Sequence, residues 1–190
     1  MKNTIVVNLL GGPGLGKSTT MAALFAKLKQ NNIDCEMSPE FAKDCVWENR
    51  KDTFNDQIYL FGKQQHRLFR LKGKVDVVIT DSPIILNVLY GDNNPELHAL
   101  VLSEFNKYNN MNFFLDRKKL YNPNGRNQTE DEAKALDIEL KALLDKLKVE
   151  YIVVPGDQNA VDMIYHFVMN ELNGGGQTYV LSRKEAEEEK

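Results

Sequence analysis

Cysteine is scarce in this 190-residue chain: Cys35 and Cys45 are the only two. Neither lies in a Cys-x-x-Cys spacing, which excludes a disulfide scaffold, a zinc ribbon and a thioredoxin-type redox motif. Buried free thiols in a reducing compartment are the expectation. His66, His98 and His166 also lack ligand spacing, so no zinc site is expected. Long hydrophobic runs are missing too. Stretches such as Val77 to Ile79 and Ile152 to Val154 are of strand length and cannot span a bilayer. Thr4 to Leu10 already reads as a first strand, leaving no place for an N-terminal leader. A cytoplasmic location without membrane contact is expected. Nor is there a surplus of basic charge, since 24 Lys and Arg face 27 Asp and Glu for a net charge of −3. That balance argues against wholesale coating of nucleic acid but leaves room for a local basic patch.

What is present is concentrated near the start. Residues 4 to 20, TIVVNLLGGPGLGKSTT, set an apolar run directly against Gly11-x-x-x-x-Gly16-Lys17-Ser18. Glycines tolerate the positive φ angles of a loop whose N–H groups point inward at an anion. Gly12, Pro13, Gly14, Leu15, Gly16, Lys17, Ser18 and Thr19 are therefore the expected ATP-binding residues. Lys17 reaches the β and γ phosphates, Ser18 offers its hydroxyl to Mg²⁺, and the following helix turns its positive dipole end to the same site. β-branched residues before the loop and an amphipathic helix after it (Met21, Leu24, Phe25, Leu28) separate this from a chance glycine-rich turn.

Strands and helices alternate through the rest of the chain. Ile33 to Ser38 reads as a strand, Pro39 to Trp47 as a short helical segment, and Thr53 to Lys72 as one long helix with Phe54, Ile58, Phe61, Leu68 and Leu71 on its apolar side. Val75 to Thr80 is an apolar strand of the kind buried on both faces of a parallel sheet, and Asp81 lies at its end. Helix Pro95 to Tyr108, strand Met111 to Leu115 and the polar, basic loop Asp116 to Gln128 follow. Thr129-Glu130-Asp131-Glu132 caps a helix reaching about Leu147, and strand Tyr151 to Val154, turn Pro155-Gly156-Asp157 and helix Ala160 to Leu172 complete the pattern. This implies an α/β fold, a three-layer αβα sandwich around a five-stranded parallel sheet, with ligands gathered at the carboxyl ends of the strands. One domain is expected over residues 1–172, with a lid loop at about 116–128. Residues 173–190 read as a flexible Gly-rich linker and charged tail.

Three features bear on what a phosphate-binding loop does here. Asp81 suits a Mg²⁺-binding role beside Ser18, but Ser82-Pro83 follows it, whereas the common hydrolysing ATPases place a water-activating glutamate there. The guanine-specifying Asn-Lys-x-Asp is absent, because Asn106-Lys107-Tyr108-Asn109 lacks its aspartate. Transfer to an acceptor other than water is favoured. Glu40, just past the second strand, is placed to take the proton of an attacking hydroxyl. It also fits simple charge complementarity at a helix start, and Asp44 is the alternate carboxylate. The loop carrying Arg117, Lys118, Lys119 and Arg126 fits a lid that brings cations to a phosphoryl group, although exposed loops are often basic without such a role. The candidate catalytic set is Lys17, Glu40, Asp81, Arg117 and Arg126, with Arg117 also on ATP and with Ser18 and Asp81 on the metal.

Taken jointly, GGPGLGKST, SPEFAKD, VVITDSP, Asp116-Arg117 with Gly125-Arg126-Asn127-Gln128-Thr129-Glu130, and VVPGD resemble the small P-loop kinases of the NadR-type AAA-domain group, many of them bacteriophage-encoded. The resemblance covers Ile5 to Leu172 and implies a nucleoside- and nucleotide-kinase-like fold in which the Asp81 strand neighbours the P-loop strand. It also implies a lid containing Arg117 and Arg126, and adenine held near Pro155, Gly156 and Asp157. One branch contains ribosylnicotinamide kinase. Another, similar in the Trp47 segment and the Gln-rich helix, includes phage enzymes that phosphorylate 5-hydroxymethyluracil in DNA, which would place the chain in the host cytoplasm. The adenylyltransferase module that accompanies the kinase in NadR has no counterpart in these 190 residues.

The acceptor stays open at this level. Phe41 and Trp47 could stack on a base, and Arg50, Gln57 and Gln64 could hydrogen-bond it; core packing is an equal reading for Trp47. Lys63, Arg67, Arg70 and Lys74 align along one side of the long helix and would suit a DNA backbone, or form an ordinary solvated face. ATP-dependent phosphorylation of 5-hydroxymethyluracil in phage DNA is the leading expectation, with a free nucleoside, nucleotide or nicotinamide riboside as the alternative acceptor and non-catalytic ATP-dependent regulation as the alternative of another class. Oligomeric state leaves no trace in the sequence.

Overall fold

The computed structural model describes residues 2–91, 94–118 and 129–175. Its strands are β1 (Ile5–Leu10), β2 (Cys35–Ser38), β3 (Val77–Thr80), β4 (Asn109–Asp116) and β5 (Ile152–Pro155). They form one sheet in the order β2-β3-β1-β4-β5, with every pairing parallel. The expected five-stranded α/β fold is present, and β3 is the direct neighbour of β1.

Alternation along β1 feeds two cores. Ile5, Val7 and Leu9 pack with Met21, Leu24 and Leu28 of α1 (Lys17–Gln30) and with Ala160, Ile164 and Val168 of α7 (Asn159–Leu172). Val6 and Leu10 face the other way, onto Phe61 and Leu68 of α3 (Gln57–Phe69), Val101 and Phe105 of α5 (Pro95–Phe105), which the one-turn α4 (Asn87–Tyr90) precedes, and Leu140 and Leu144 of α6 (Glu130–Lys146). Side chains on successive strand residues point to opposite faces, so a central strand covered on both sides has to be apolar throughout. Asn8 breaks that rule and is only 1% exposed. Its amide donates to Asn110 Oδ1 and Asn112 Oδ1, each at 2.9 Å, and Asn112 lies opposite Asn8 in the ladder. The satisfied amides penalise a slip of β1 against β4, since a one-residue shift would strand them against hydrocarbon.

Helix α6 opens on the expected capping box, with Thr129 N–H donating to Glu132 Oε2 at 2.7 Å and Glu132 N–H to Thr129 Oγ1 at 3.3 Å. Both cysteines are free and buried, and burial pushes the Cys35 thiol up to about 11, which keeps it protonated and unreactive at neutral pH. No helix among the described residues is long and apolar enough to cross a membrane. The call of a tail at 173–190 falls mostly on residues 176–190, outside the described residues.

One element departs from expectation. The single helix read over Thr53 to Lys72 is a 3₁₀ turn, Lys51–Asn55, followed by α3. Asp56 interposes as N-cap, accepting Tyr59 N–H at 3.0 Å, and this restarts the helix. The restart also fixes which face is inward. Leu60, Phe61, Gln64 and Leu68 are buried while Ile58 is 63% exposed, because Ile58 sits about 100° around the helix from the line of Gln57, Phe61, Gln64 and Leu68.

β1 leads toward β2 on one face of the sheet and β3 leads toward β4 on the other, so their connections part at the carboxyl ends. That divergence opens the crevice where ligands bind in this class of fold.

Candidate active site

The loop after β1 turns through positive φ at Gly11 (128°), Gly14 (86°) and Gly16 (86°). A side chain at such angles is strained, which is why these positions are glycine. The loop delivers its amides to the start of α1, where N–H groups lack intrahelical partners. Lys17 Nζ donates to Gly11 O at 2.6 Å and Gly12 O at 2.8 Å, lying along the loop it is meant to serve. Ser18 Oγ donates to Asp81 Oδ2 at 2.5 Å. Asp81 ends β3, is 4% exposed, and accepts Glu40 N–H on its other oxygen at 3.0 Å. A hydroxyl and a carboxylate converging from two neighbouring strand ends form an all-oxygen set suited to Mg²⁺ completed by phosphate and water. Among the described residues, no group of three or more His, Cys, Asp or Glu could hold a metal by itself.

Glu40 stands between β2 and α2 (Phe41–Trp47). Burial holds its carboxyl above the ordinary value of 4.5; the charge of Lys17 opposes that shift and Asp81 adds to it. Lys17 is pushed down by burial, against the attraction of Glu40, Asp81 and Asp137. Each of the two groups feels the other's charge, and desolvation moves each toward its neutral form. Asp44 is accounted for differently. Its carboxylate pairs with Arg67, whose guanidinium also donates to Pro39 O at 2.8 Å. Glu40, and not Asp44, is the carboxylate beside Lys17 and Asp81.

Arg117, from the stretch expected to form a lid, is anchored. Its side chain is 12% exposed, and its guanidinium donates through Nε (3.1 Å) and Nη2 (2.8 Å) to Asp137 Oδ2, and through Nη2 to Pro13 O at 3.1 Å. It belongs to the wall of the phosphate-binding loop. Arg126, Lys119 and the rest of 119–128 lie outside the described residues. Pro155 ends β5 opposite Asp116, and Gly156 N–H donates to Asp116 O at 2.7 Å. A Cβ on Gly156 would meet that oxygen at 2.5 Å and Leu15 O at 3.4 Å, so the turn lies flush against the loop. Asp157 accepts Asn159 N–H at 2.8 Å, just ahead of α7.

A sequence-family profile described as an AAA domain matches residues 6–160, most of the chain. The chain belongs to this AAA domain family. Comparison with curated protein sequences gives no match. Among solved structures, NadR protein in complex with NR superposes with TM-score 0.66 at 16% identity, over 87% of this chain and 52% of that one. This AAA domain thus spans about half the NadR chain. Thymidylate kinase from Ehrlichia chaffeensis gives TM-score 0.57 at 12% identity, over 91% and 100% of the two chains. Shikimate kinase from Acinetobacter baumannii in complex with shikimate gives 0.53 at 14% identity, over 94% and 97%. At such identities the likeness is one of fold, that of P-loop kinases.

The residues expected to hold an acceptor divide. Phe41 is 8% exposed, packed with Cys45 and Leu60. Gln64 is 4% exposed, with its carbonyl accepting Phe41 N–H at 2.9 Å and its amide at 3.4 Å from both Ser38 Oγ and Pro39 O. Both are corrections: these two residues brace α2 against α3 and present no free surface to a base. Arg50 pairs with Glu48 at 2.5 Å and the Gln57 amide donates to Phe54 O at 2.7 Å. Trp47 projects outward with 75% exposure, which settles its alternatives against core packing. The basic stripe is also interrupted, since Arg67 is tied to Asp44 and Lys63 rests 5.4 Å over the Tyr59 ring. Sequence reasoning missed Asp137, which holds Gly12 N–H and Arg117. Asp137 did leave a signal: it is an acid on the inward stripe Ala133, Leu140, Leu144 of α6.

Proposed function

We propose that this protein is an ATP- and Mg²⁺-dependent phosphotransferase that moves the γ-phosphate to a hydroxyl of a nucleoside-like acceptor. The observation that carries the reading is the convergence of Lys17, Ser18, Asp81 and Glu40 at adjoining strand ends, with Glu40 desolvated beside the cation. In-line phosphoryl transfer needs charge neutralisation and a positioned base more than covalent help. Lys17 spans the β and γ phosphates, the loop amides cradle them, Ser18 and Asp81 hold Mg²⁺, and Arg117 adds a second fixed cation. Mg²⁺ supplies charge neutralisation of the phosphate oxygens. Glu40 accepts the proton of the attacking hydroxyl. Pro155, Gly156 and Asp157, against Leu15, form the edge on which the base of ATP rests. The kinase unit is residues 1–172, working in the cytoplasm.

For the acceptor, an exposed Trp47 supports stacking on a base presented from outside, and 5-hydroxymethyluracil in phage DNA is the specific candidate. A free nucleoside, nucleotide or nicotinamide riboside is the second reading, favoured by the pairing of Arg67 with Asp44, which removes a cation from any DNA-facing stripe. Incubation with γ-labelled ATP and a panel of 5-hydroxymethyluracil DNA, plain DNA, free nucleosides and nicotinamide riboside separates them. Transfer to DNA that collapses with added salt supports the first, because backbone contacts release counterions. Transfer to a free nucleoside, indifferent to salt, supports the second. ATP bound with label on no acceptor would refute both and leave a non-catalytic regulator.

A further inference from the structure

The pairing of Asp137 with the phosphate-binding loop has no counterpart in the roles assigned above. Asp137 Oδ1 accepts Gly12 N–H at 2.6 Å while Oδ2 takes Nε and Nη2 of Arg117, and Nη2 also reaches Pro13 O. One carboxylate thus ties α6, the start of the loop and Arg117 into a closed cycle. Both side chains of the pair are largely withdrawn from water, at 12% and 15% exposure. The fit is close from every side: a Cβ on Gly12 would come within 2.7 Å of Asp137 Oδ1 and 2.8 Å of Ala133 O.

The cycle leaves one thing unspent. Arg117 Nη1 is buried and has no hydrogen-bond partner among the described residues. A pair built only for stability would leave no buried donor unsatisfied, since an orphaned polar group costs free energy. An anionic oxygen is the ligand such a nitrogen takes best. Arg117 Nη2 reaches Pro13 O and Lys17 Nζ reaches Gly12 O, adjacent carbonyls of the loop, so both cations are set on the same stretch of backbone.

We propose that Asp137 is a positioning residue that locks Arg117 by two of its nitrogens so that the third, Nη1, is set for a phosphate oxygen of the nucleotide. This rests on the nucleotide-binding part of the reading above. Arg117 makes the contact, and Asp137 acts through it.

The test is equilibrium titration with a fluorescent ATP analogue and Mg²⁺ on the full chain, for the wild type, Asp137→Asn, Asp137→Ala, Arg117→Ala and the two double variants, with thermal melting alongside. Asp137→Asn keeps the size of the side chain and an acceptor for Gly12 N–H, so it carries the test if Asp137→Ala does not fold. Asp137→Asn is expected to weaken binding about tenfold in the wild-type background and less than about twofold when Arg117 is already alanine, as for residues acting through one another. Equal weakening in both backgrounds, or no weakening, would overturn the proposal, because Asp137 would then act on the fold or not at all. Failure of the wild type to bind the analogue would instead sink the nucleotide reading on which it rests.

Discussion

Gly12→Ala gives the sharpest structural prediction, because no backbone strain enters its cost. Gly12 is not among the positive-φ glycines, so alanine can adopt its backbone angles. The added methyl, however, would lie 2.8 Å from Ala133 O, a backbone atom of α6, and 2.7 Å from Asp137 Oδ1. To make room, α6 has to move or the carboxylate has to leave, which breaks the Gly12 N–H bond and loosens Arg117. Overpacking costs about 1–3 kcal/mol and a lost charge-assisted hydrogen bond about 1.5–3 kcal/mol. The sum, about 2.5–6 kcal/mol, is a large share of the roughly 5–15 kcal/mol that holds a domain folded. At about 2–4 °C per kcal/mol for a chain this long, melting should fall by roughly 5–24 °C. Gly62→Ala is the matched control. Gly62 lies inside α3 with nothing within 4 Å of a built Cβ, so alanine there should stabilise by about 0.5–1 kcal/mol through helix propensity. The assay is thermal melting by circular dichroism, with nucleotide titration. A Gly12→Ala protein that melts with the wild type and binds nucleotide equally would refute the described packing of α6 on the loop.

Glu40→Gln should retain ATP affinity while losing turnover by about a hundredfold or more, the range for a general base. In the wild type kcat/KM should rise with pH through a value above 4.5, since burial raises the Glu40 carboxyl, and the variant should lose that limb. The same shift sets a sign for stability. A raised folded-state pKa means the native state holds the proton longer, so stability falls as pH climbs from the unfolded to the folded value. Glu40→Gln should therefore melt higher than wild type at pH 7 and match it below the ordinary carboxylate pKa; a lower Tm at pH 7 would contradict the desolvated site. Trp47→Ala should leave Tm nearly unchanged, because the ring is 75% exposed. If Trp47 stacks on the acceptor, its KM should rise about tenfold or more; an unaltered KM would remove Trp47 from the site.

The glycine-rich loop and the placing of Asp81 beside it were legible in the sequence because each signal is local. An apolar strand, four spaced glycines and Lys17-Ser18 are contiguous, and Asp81 closes a run of buried residues, so each announces its place without knowledge of distant contacts. The capping box at Thr129 was legible for the same reason. Long-range pairings were not. Gly12 and Asp137 stand 125 positions apart, and only an acid on an apolar stripe hinted that a partner existed. Gln64 shows the complementary failure: an amide among aromatic and basic residues looks like a base reader, yet one helix turn of register places it inside, bonded to Phe41 N–H. The Ile58 error has the same root, since Asp56 resets the helix phase and the apolar face turns with it.

The central claim is that the site transfers phosphate to a hydroxyl and does not spend ATP on water. The most direct measurement is the ratio of inorganic phosphate to ADP produced by the wild type with and without the acceptor panel, beside Lys17→Ala. The account predicts that one acceptor speeds ADP formation about tenfold or more while free phosphate stays a small fraction of it, and that Lys17→Ala abolishes the effect. ADP matched one to one by inorganic phosphate, at a rate indifferent to every acceptor, would contradict it.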